Sequence, residues 1–521
     1  MKDVVKNEYS KSKTVAIIGA GLAGLSAGIY LRKAGFQTTI FEMHSLPGGQ
    51  CTSWKKKGYT FDACVHWLIG SHPGKMFHSL WRDLGVIHEG RKFINHDSYM
   101  KVRFSDGESA TIYTNADLLE KELLRVAPED RLKIQEFTRG VRKATELEMP
   151  DPNDRSLKGL RMLIPALIKI YSLYKNWGKI KSKDYADTFQ SLRMRQVILA
   201  LFTDEFAMLF NLLTLAWLEQ KNAGYPIGGS LKLARDIEKT YLALGGEIRY
   251  KSRVTQILTE KNSSRDASRV KGVEYRHANT LKKNYSEEKK PEVFHSDLVI
   301  SAADGVSTVQ KLLHNKHHHP LLKHAWETIP LFPPLFFISL GLKGKSGVEP
   351  CVSGDSLWFD PPVDVSWGSI EQILVHSMEF DPTLAPEGHG CLNIMVETDY
   401  DYWQNLSSNE SKYQKTKESD TKLIINAIEK TYPGLKKKIQ VTDIATPMTW
   451  VRYTGVYRGS WEGLQMVPES IRRGQTSLPY QLEGLEDFYL CGQWVEPGGG
   501  LPVAAQSGKN VAQLILKNRR K

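Results

Sequence analysis

The chain has 521 residues, 41% hydrophobic and 25% charged, a balance that suits a globular protein of two interleaved domains around a large core. Its 70 Lys+Arg against 58 Asp+Glu leave a net charge of +12, a mild surplus that reads as a generally basic surface, with no nucleic-acid partner expected. Five scattered cysteines (Cys51, Cys64, Cys351, Cys391 and Cys491) contain no CxxC pair, which argues against a disulfide framework or a zinc site and for a reducing, cytoplasmic compartment.

After a polar start, TVAIIG predicts a strand, the glycines that follow a turn, LAGLSAGIYLRKAG a helix, and QTTIFE a second strand, which together make a βαβ unit. Gly19, Gly21 and Gly24 form G-x-G-x-x-G in that turn. The first permits the tight bend, the second lets backbone approach a pyrophosphate, and the third lets helix and strand pack closely. Leu22 and Ala23 open the helix, whose unpaired N–H groups would face the phosphates. Glu42 ends the second strand about 20 residues on, where a carboxylate accepts ribose hydroxyls and disfavours a 2′-phosphate. Next comes SLPGGQCTSW, with a second glycine turn at Gly48 and Gly49, and then FDACVHWLIG.

From Lys158, KGLRMLIPALIKIYSLYKNWGKIKSK mixes a wide apolar surface with Trp177, two tyrosines and flanking basic residues, the composition of a helix lying on an anionic membrane. A lid or core helix is the plainer reading. No uninterrupted apolar run is long enough to cross a bilayer, so any membrane contact is expected to be peripheral. Further along, SLKLARDIEKTYLALGG predicts a helix, EIRYKSRVTQIL a strand, the polar stretch after it a hairpin excursion, and DLVISAAD a strand. The run HNKHHHP from His314 reads as a solvated loop, and no metal site is expected. FYLCG then gives a strand, PGGGLP a loop, and VAAQSGKNVAQLILKN a final helix. There is no internal repeat and no second complete GxGxxG unit.

The GAGLAG turn, the GG pair and above all YLCGQWVEPGGGLPVAAQSGKNVAQLI resemble the phytoene desaturase, carotenoid isomerase and retinol saturase-like family of FAD-dependent oxidoreductases. The resemblance implies an α/β chain: a Rossmann-type FAD-binding domain of the glutathione-reductase-like class, with an interleaved substrate domain. The first would comprise residues 13–70, 225–309 and 485–521, and the second 71–224 and 310–484, with a membrane-associated helical part at 158–183. It also implies that Gly492 approaches the ribitol and pyrophosphate. The loop with Gly499, Gly500 and Leu501 would lie against the flavin ring, and Val254 would meet the adenine through its backbone. Residues 301–305 would return near the cofactor. His66 and Glu496 are the candidate acid–base groups, with Asp62 more suited to orienting backbone. Trp450, Tyr453, Tyr457 and Trp461 are candidates to line an apolar tunnel.

The expected substrate is a long apolar, lipid-like isoprenoid whose C–C bond is desaturated or saturated. Redox-neutral isomerisation of a polyene is the alternative. Gln50 stands where flavin amine oxidases usually have Arg, which weakens the reading as an amine oxidase. A non-enzymatic prenyl-binding protein of the same fold, like the Rab GDP-dissociation inhibitors, lacks the intact flavin signatures kept here. The electron partner and the direction of reaction stay open at this point.

Overall fold

The structure is a computed structural model, which describes residues 13–147, 157–262, 267–277, 290–498 and 500–519. Its first layer is a five-stranded parallel sheet in the order Glu247–Arg249, Gln37–Phe41, Thr14–Ile18, Leu298–Ser301, Phe488–Leu490. Strands buried on both faces need continuous apolar runs. Val15, Ala16 and Ile17 are buried completely, as are Leu298, Val299 and Ile300. The helix Leu22–Lys33 returns the chain between the first two strands, and the helix Gly500–Asn518 packs against it. Their contact depends on small residues: a Cβ on Gly508 would lie 2.2 Å from the Ala23 carbonyl oxygen.

The expected strand EIRYKSRVTQIL is in fact two. Glu247–Arg249 joins the parallel sheet, whereas Ser252–Asn262 pairs antiparallel with Ala267–His277 in a separate one. Lys251 divides them with φ of +53°, and its N–H donates to the His44 carbonyl at 3.0 Å. A hydrogen bond to the loop after Glu42 outweighs strand continuity there. The polar excursion beyond it falls largely on 263–266 and 278–289, outside the described residues.

The second layer is a seven-stranded mixed sheet running Ile439–Ala445, Leu335–Lys343, His389–Glu397, Gly368–Ser377, Asp355–Val365, Ser98–Arg103, Ser109–Tyr113. Side chains alternate between its faces. Phe336, Ile338, Leu340, Leu392 and Ile394 pack with Trp403, Ile424 and Ile428 in one apolar cluster. Ser339 and Asn393, of opposite parity, turn the other way: Ser339 Oγ donates to Asn393 Oδ1 at 3.0 Å, and Asn393 Nδ2 donates to the Asp62 carbonyl at 2.7 Å. That face therefore looks onto the segment descending from the second glycine turn.

A helical cluster caps the far side, built on Ala116–Val126, Arg131–Thr145, Leu157–Trp177, Leu192–Leu201 and Met208–Glu219. Trp177 is buried here: its ring closes on Gly140 and packs at 5.2 Å on Tyr185. Composition does not reveal which face of a helix its neighbours cover. The face left open carries Ile164, Ile168 and Tyr171, each 66% exposed, together with Leu163 and Leu167. No helix among the described residues is long and apolar enough to cross a membrane.

Candidate functional site: a cleft between two glycine turns and the final helix

The first turn begins at Gly19, whose φ of +96° only glycine adopts readily. Gly24 is forced by packing instead, since a Cβ there would lie 2.1 Å from the Gly19 carbonyl oxygen. Gly21 differs from both. A Cβ on it would meet nothing closer than the Gly48 carbonyl oxygen at 4.0 Å. Space is open over Gly21, and the first-turn N–H groups of Leu22, Ala23 and Gly24 lack intrahelical partners. No acidic residue stands in that turn, so the positive end of the helix dipole is unopposed.

The second turn backs onto the first. Gly48 and Gly21 form a parallel bridge, and the Gly48 N–H donates to the Ala20 carbonyl at 2.8 Å. Gly48 and Gly49 have φ of +110° and +60°. The two turns make a cradle walled by backbone and free of side chains, as an approaching pyrophosphate requires.

Glu42 closes one end. Its Oε2 accepts the Ala20 N–H at 2.7 Å and its Oε1 the His44 N–H at 2.8 Å. Burial pushes its pKa up, and these backbone donors pull against that rise. The Ser252 N–H donates to the Glu42 carbonyl at 2.8 Å, which brings the strand holding Val254 beside the carboxylate. At the other side, the 301–305 segment returns onto the first turn: Ala302 N–H donates to the Ile18 carbonyl at 2.9 Å. Asp304 caps the next turn by accepting the Ser307 N–H at 2.7 Å and the Tyr457 N–H at 2.8 Å.

The C-terminal wall starts at Gly492. Its φ is +105°, and its N–H donates to Ser507 Oγ at 2.7 Å. A Cβ on it would stand 3.6 Å from that of Ala23, so the last strand delivers this glycine to the mouth of the first helix. Gly498 and Gly500 have φ of +62° and +57°. Leu501 is half-buried beside them, and Gly499 lies outside the described residues.

Gln50 knits the walls together. Its Nε2 donates to the carbonyls of Ser460 at 2.9 Å and Trp461 at 3.1 Å, while its Oε1 accepts from Gln493 Nε2 at 2.8 Å. The 460–463 loop is thereby clamped between the second glycine turn and the exit of the last strand. Asp62 plays the orienting part expected of it, accepting the Ser230 N–H and hydroxyl, both at 2.6 Å, and the Cys64 N–H at 3.2 Å. Burial raises its carboxyl to about 6.

The two candidate acid–base groups are not brought together. His66 sets its ring 4.4 Å from that of the fully buried His376, tilted by 58°, on the inward face of the large sheet. Burial pushes His66 down to about 4, so it is a neutral imidazole near pH 7. Glu496 is taken up in a network with the Tyr480 hydroxyl and, at 3.0 Å, Ser477 Oγ. The four aromatics have different ring partners, and Trp450 and Tyr457 pack on one apolar cluster of Val306, Val456 and Trp494. Tyr453 sits 5.5 Å from His44, Tyr457 6.1 Å from Trp494, Trp450 6.0 Å from Phe337, and Trp461 4.4 Å from Phe332. Among the described residues no cluster of His, Cys, Asp or Glu could hold a metal ion, and His319 instead caps the helix Pro320–Thr328.

Sequence reasoning missed Glu462. Its carboxyl accepts the Gly500 N–H at the first turn of the final helix, and burial raises it to about 8. The available signal was a single acidic residue inside the otherwise uncharged run GSWEGLQMV.

The family described as flavin containing amine oxidoreductase matches residues 22–516. This chain belongs to that family. Its cofactor is FAD and it is an FAD-dependent oxidoreductase, which the side-chain-free cradle and the Glu42 terminus fit. Prolycopene isomerase 1, chloroplastic, of an Oncidium hybrid cultivar is 24% identical over 529 residues, covering 98% of this chain and 85% of the relative. A phytoene desaturase (neurosporene-forming) of Cereibacter sphaeroides is 24% identical over 534 residues, covering 97% and 95%. Among solved structures, cyclohexylamine oxidase from Brevibacterium oxydans superposes with a TM-score of 0.58 at 11% identity, covering 98% of this chain and 100% of that one. That likeness speaks for the fold alone. The flavoprotein is a Rossmann-type α/β protein of this class.

Proposed function

We propose that this flavoprotein acts on a C–C bond of a long apolar isoprenoid, desaturating or saturating it, with redox-neutral isomerisation of a polyene as the alternative. The observation that carries the reading is the full-length match to carotenoid-acting relatives: isomerases and desaturases align over 97–98% of the chain. In this reading residues 13–70, 225–309 and 485–521 hold FAD, and 71–224 with 310–484 hold the substrate.

Bound FAD supplies the two-electron acceptor or donor. The protein's part is to hold it, orient the substrate and manage one proton. Gly21, the Leu22–Gly24 N–H groups, Gly48 and Gly49 would take the pyrophosphate, Glu42 the ribose, and Val254 the adenine through its backbone. Gly492, Gly499, Gly500 and Leu501 would border the ribitol and ring. Beyond this, the segment descending from the second glycine turn carries Trp67 and His66, the latter set against the His376 imidazole. Trp67 lies 6.2 Å from His66, and both His66 and His376 are held neutral by burial. Uncharged rings at this place suit a hydrocarbon better than an amine. Cys491, next to the final loop, is buried and its thiol is pushed up to about 12, which suits FAD held without a covalent link.

The exposed apolar face of Leu157–Trp177 supports docking on a membrane, from which such a substrate would be drawn.

The test is anaerobic. Oxidised and, separately, chemically reduced enzyme are mixed with carotenoids, retinoids and unsaturated acyl lipids while flavin absorbance and product mass are followed together. Flavin bleaching with loss of two hydrogens identifies a desaturase, re-oxidation with gain of two a saturase, and a mass-neutral product an isomerase. Rapid bleaching by simple amines, with no response to any lipid, would overturn the reading.

A further inference from the structure

We propose that Glu462 is the acid–base group of the redox site, holding a proton at the first turn of the final helix and exchanging it as the substrate C–C bond is reduced or oxidised. This rests on FAD occupying the cleft, and not on which isoprenoid enters it.

Position comes first. Glu462 belongs to the loop that Gln50 clamps to the second glycine turn through the Ser460 and Trp461 carbonyls. Bridges from Leu331 to Leu464 and from Pro334 to Ser460 fix the loop from the opposite side. Across from it stands Gly500, whose N–H donates to the Glu462 carboxyl. Gly500 has a φ of +57°, and a Cβ on it would lie 2.8 Å from Glu462 Oε1, so the carboxyl sits directly against this glycine. The carboxyl is thus pinned between the glycine-pair loop and the final helix, the two walls that would border the isoalloxazine. Its side chain is half-buried between the loop and the first turn of the final helix.

Protonation state follows from the surroundings. Trp461, Phe332, Gln50, Gln493 and Gly500 surround the loop and none of them ionises. Burial is the dominant influence and raises the carboxyl to about 8, against a smaller opposing effect of the Gly500 N–H. Near neutrality it is therefore a carboxylic acid within reach of its own pKa, which is where acid–base transfer is most effective. His66 is not suited to the part because burial pushes it down to about 4, and Glu496 is engaged by Tyr480 and Ser477.

The step balances. Saturating one C=C bond adds a hydride from reduced flavin to one carbon and a proton from the Glu462 carboxyl to the other, which leaves a carboxylate. Desaturation runs in reverse: the hydride leaves to oxidised flavin and the carboxylate takes the proton.

The experiment uses FAD-loaded wild type, Glu462→Gln and Glu462→Asp. Bound-flavin absorbance is titrated between about pH 6 and pH 10, and the infrared difference spectrum is recorded on chemical reduction. Wild type should show a one-proton transition near pH 8 and a protonated-carboxyl band. Both should vanish in Glu462→Gln while flavin stays bound, and the transition should move in Glu462→Asp. A wild type without the transition, or a Glu462→Gln enzyme that keeps it, overturns the proposal. If Glu462→Gln does not fold, an unmoved transition in Glu462→Asp overturns it equally. Wild type that binds no flavin would instead overturn the cofactor assignment on which the proposal rests.

Discussion

The Glu42 carboxylate accepts the Ala20 N–H at 2.7 Å, joining the end of the second strand to the turn between Gly19 and Gly21. One side chain therefore shapes the first glycine turn and, in the proposed reading, would also present the acceptor for a ribose. Glu42→Ala should weaken FAD binding by about 1.5–3 kcal/mol, roughly ten- to 150-fold in Kd, because hydrogen bonds to a charged acceptor are lost. Titrating apoprotein with FAD and following flavin fluorescence measures this; an unchanged Kd would remove Glu42 from the site.

Gly21 and Gly24 should respond oppositely to substitution. At Gly24 a Cβ would lie 2.1 Å from backbone, so Gly24→Ala should lower the stability of the apoprotein by about 1–3 kcal/mol through overpacking. At Gly21 the nearest atom is 4.0 Å away, so Gly21→Leu should fold and melt much like the parent. Its side chain would fill the cradle, and the purified protein should be colourless. A yellow Gly21→Leu protein would contradict the pyrophosphate assignment.

That contrast shows what was legible in the sequence. The glycine spacing and the strand–helix–strand order are local, and the structure has the strand, turn, helix and second strand where the spacing puts them. Glu462 was not legible because its surroundings come from Gln50 and Gly500, at opposite ends of the chain. The His66–His376 contact is hidden in the same way, since the partner arrives on a strand of the large sheet. The helix Leu157–Trp177 shows a different limit. Apolar and basic residues on one helix say that it has two environments, but not which side faces the protein.

The His66 contact makes stability depend on acid. Its pKa falls from 6.5 to about 4 on folding, so the unfolded chain binds the proton more tightly. The stabilisation from keeping the ring neutral is fully present above pH 6.5 and is lost as pH falls toward about 4. It amounts to up to about 3 kcal/mol. Replacing the ring by His66→Phe should flatten the fall in melting temperature over that window while leaving it near its parent value at neutral pH. A variant that loses stability with acid as steeply as wild type would show that His66 titrates without penalty.

The last expectation concerns the outer face of the helix Leu157–Trp177. Ile164, Ile168 and Tyr171 are each 66% exposed, and their spacing places them on one side. Trp177 and Leu173 bury the opposite side in the helical core. Lys169 and Lys175 lie on exposed positions of the same helix, suited to anionic headgroups. Since the exposed residues contribute little to the core, the triple change Ile164→Ser, Ile168→Ser and Tyr171→Ser should leave the melting temperature nearly unchanged. Binding to liposomes should fall at least about tenfold, because each removed side chain forgoes roughly 1–2 kcal/mol of insertion. Flotation with zwitterionic and anionic vesicles separates the contributions: the apolar face should matter on both, the lysines only on the second. Wild-type protein that stays at the bottom of the gradient with either vesicle would return this helix to a lid or core role. An unaltered triple variant that still floats would move the membrane contact elsewhere on the molecule.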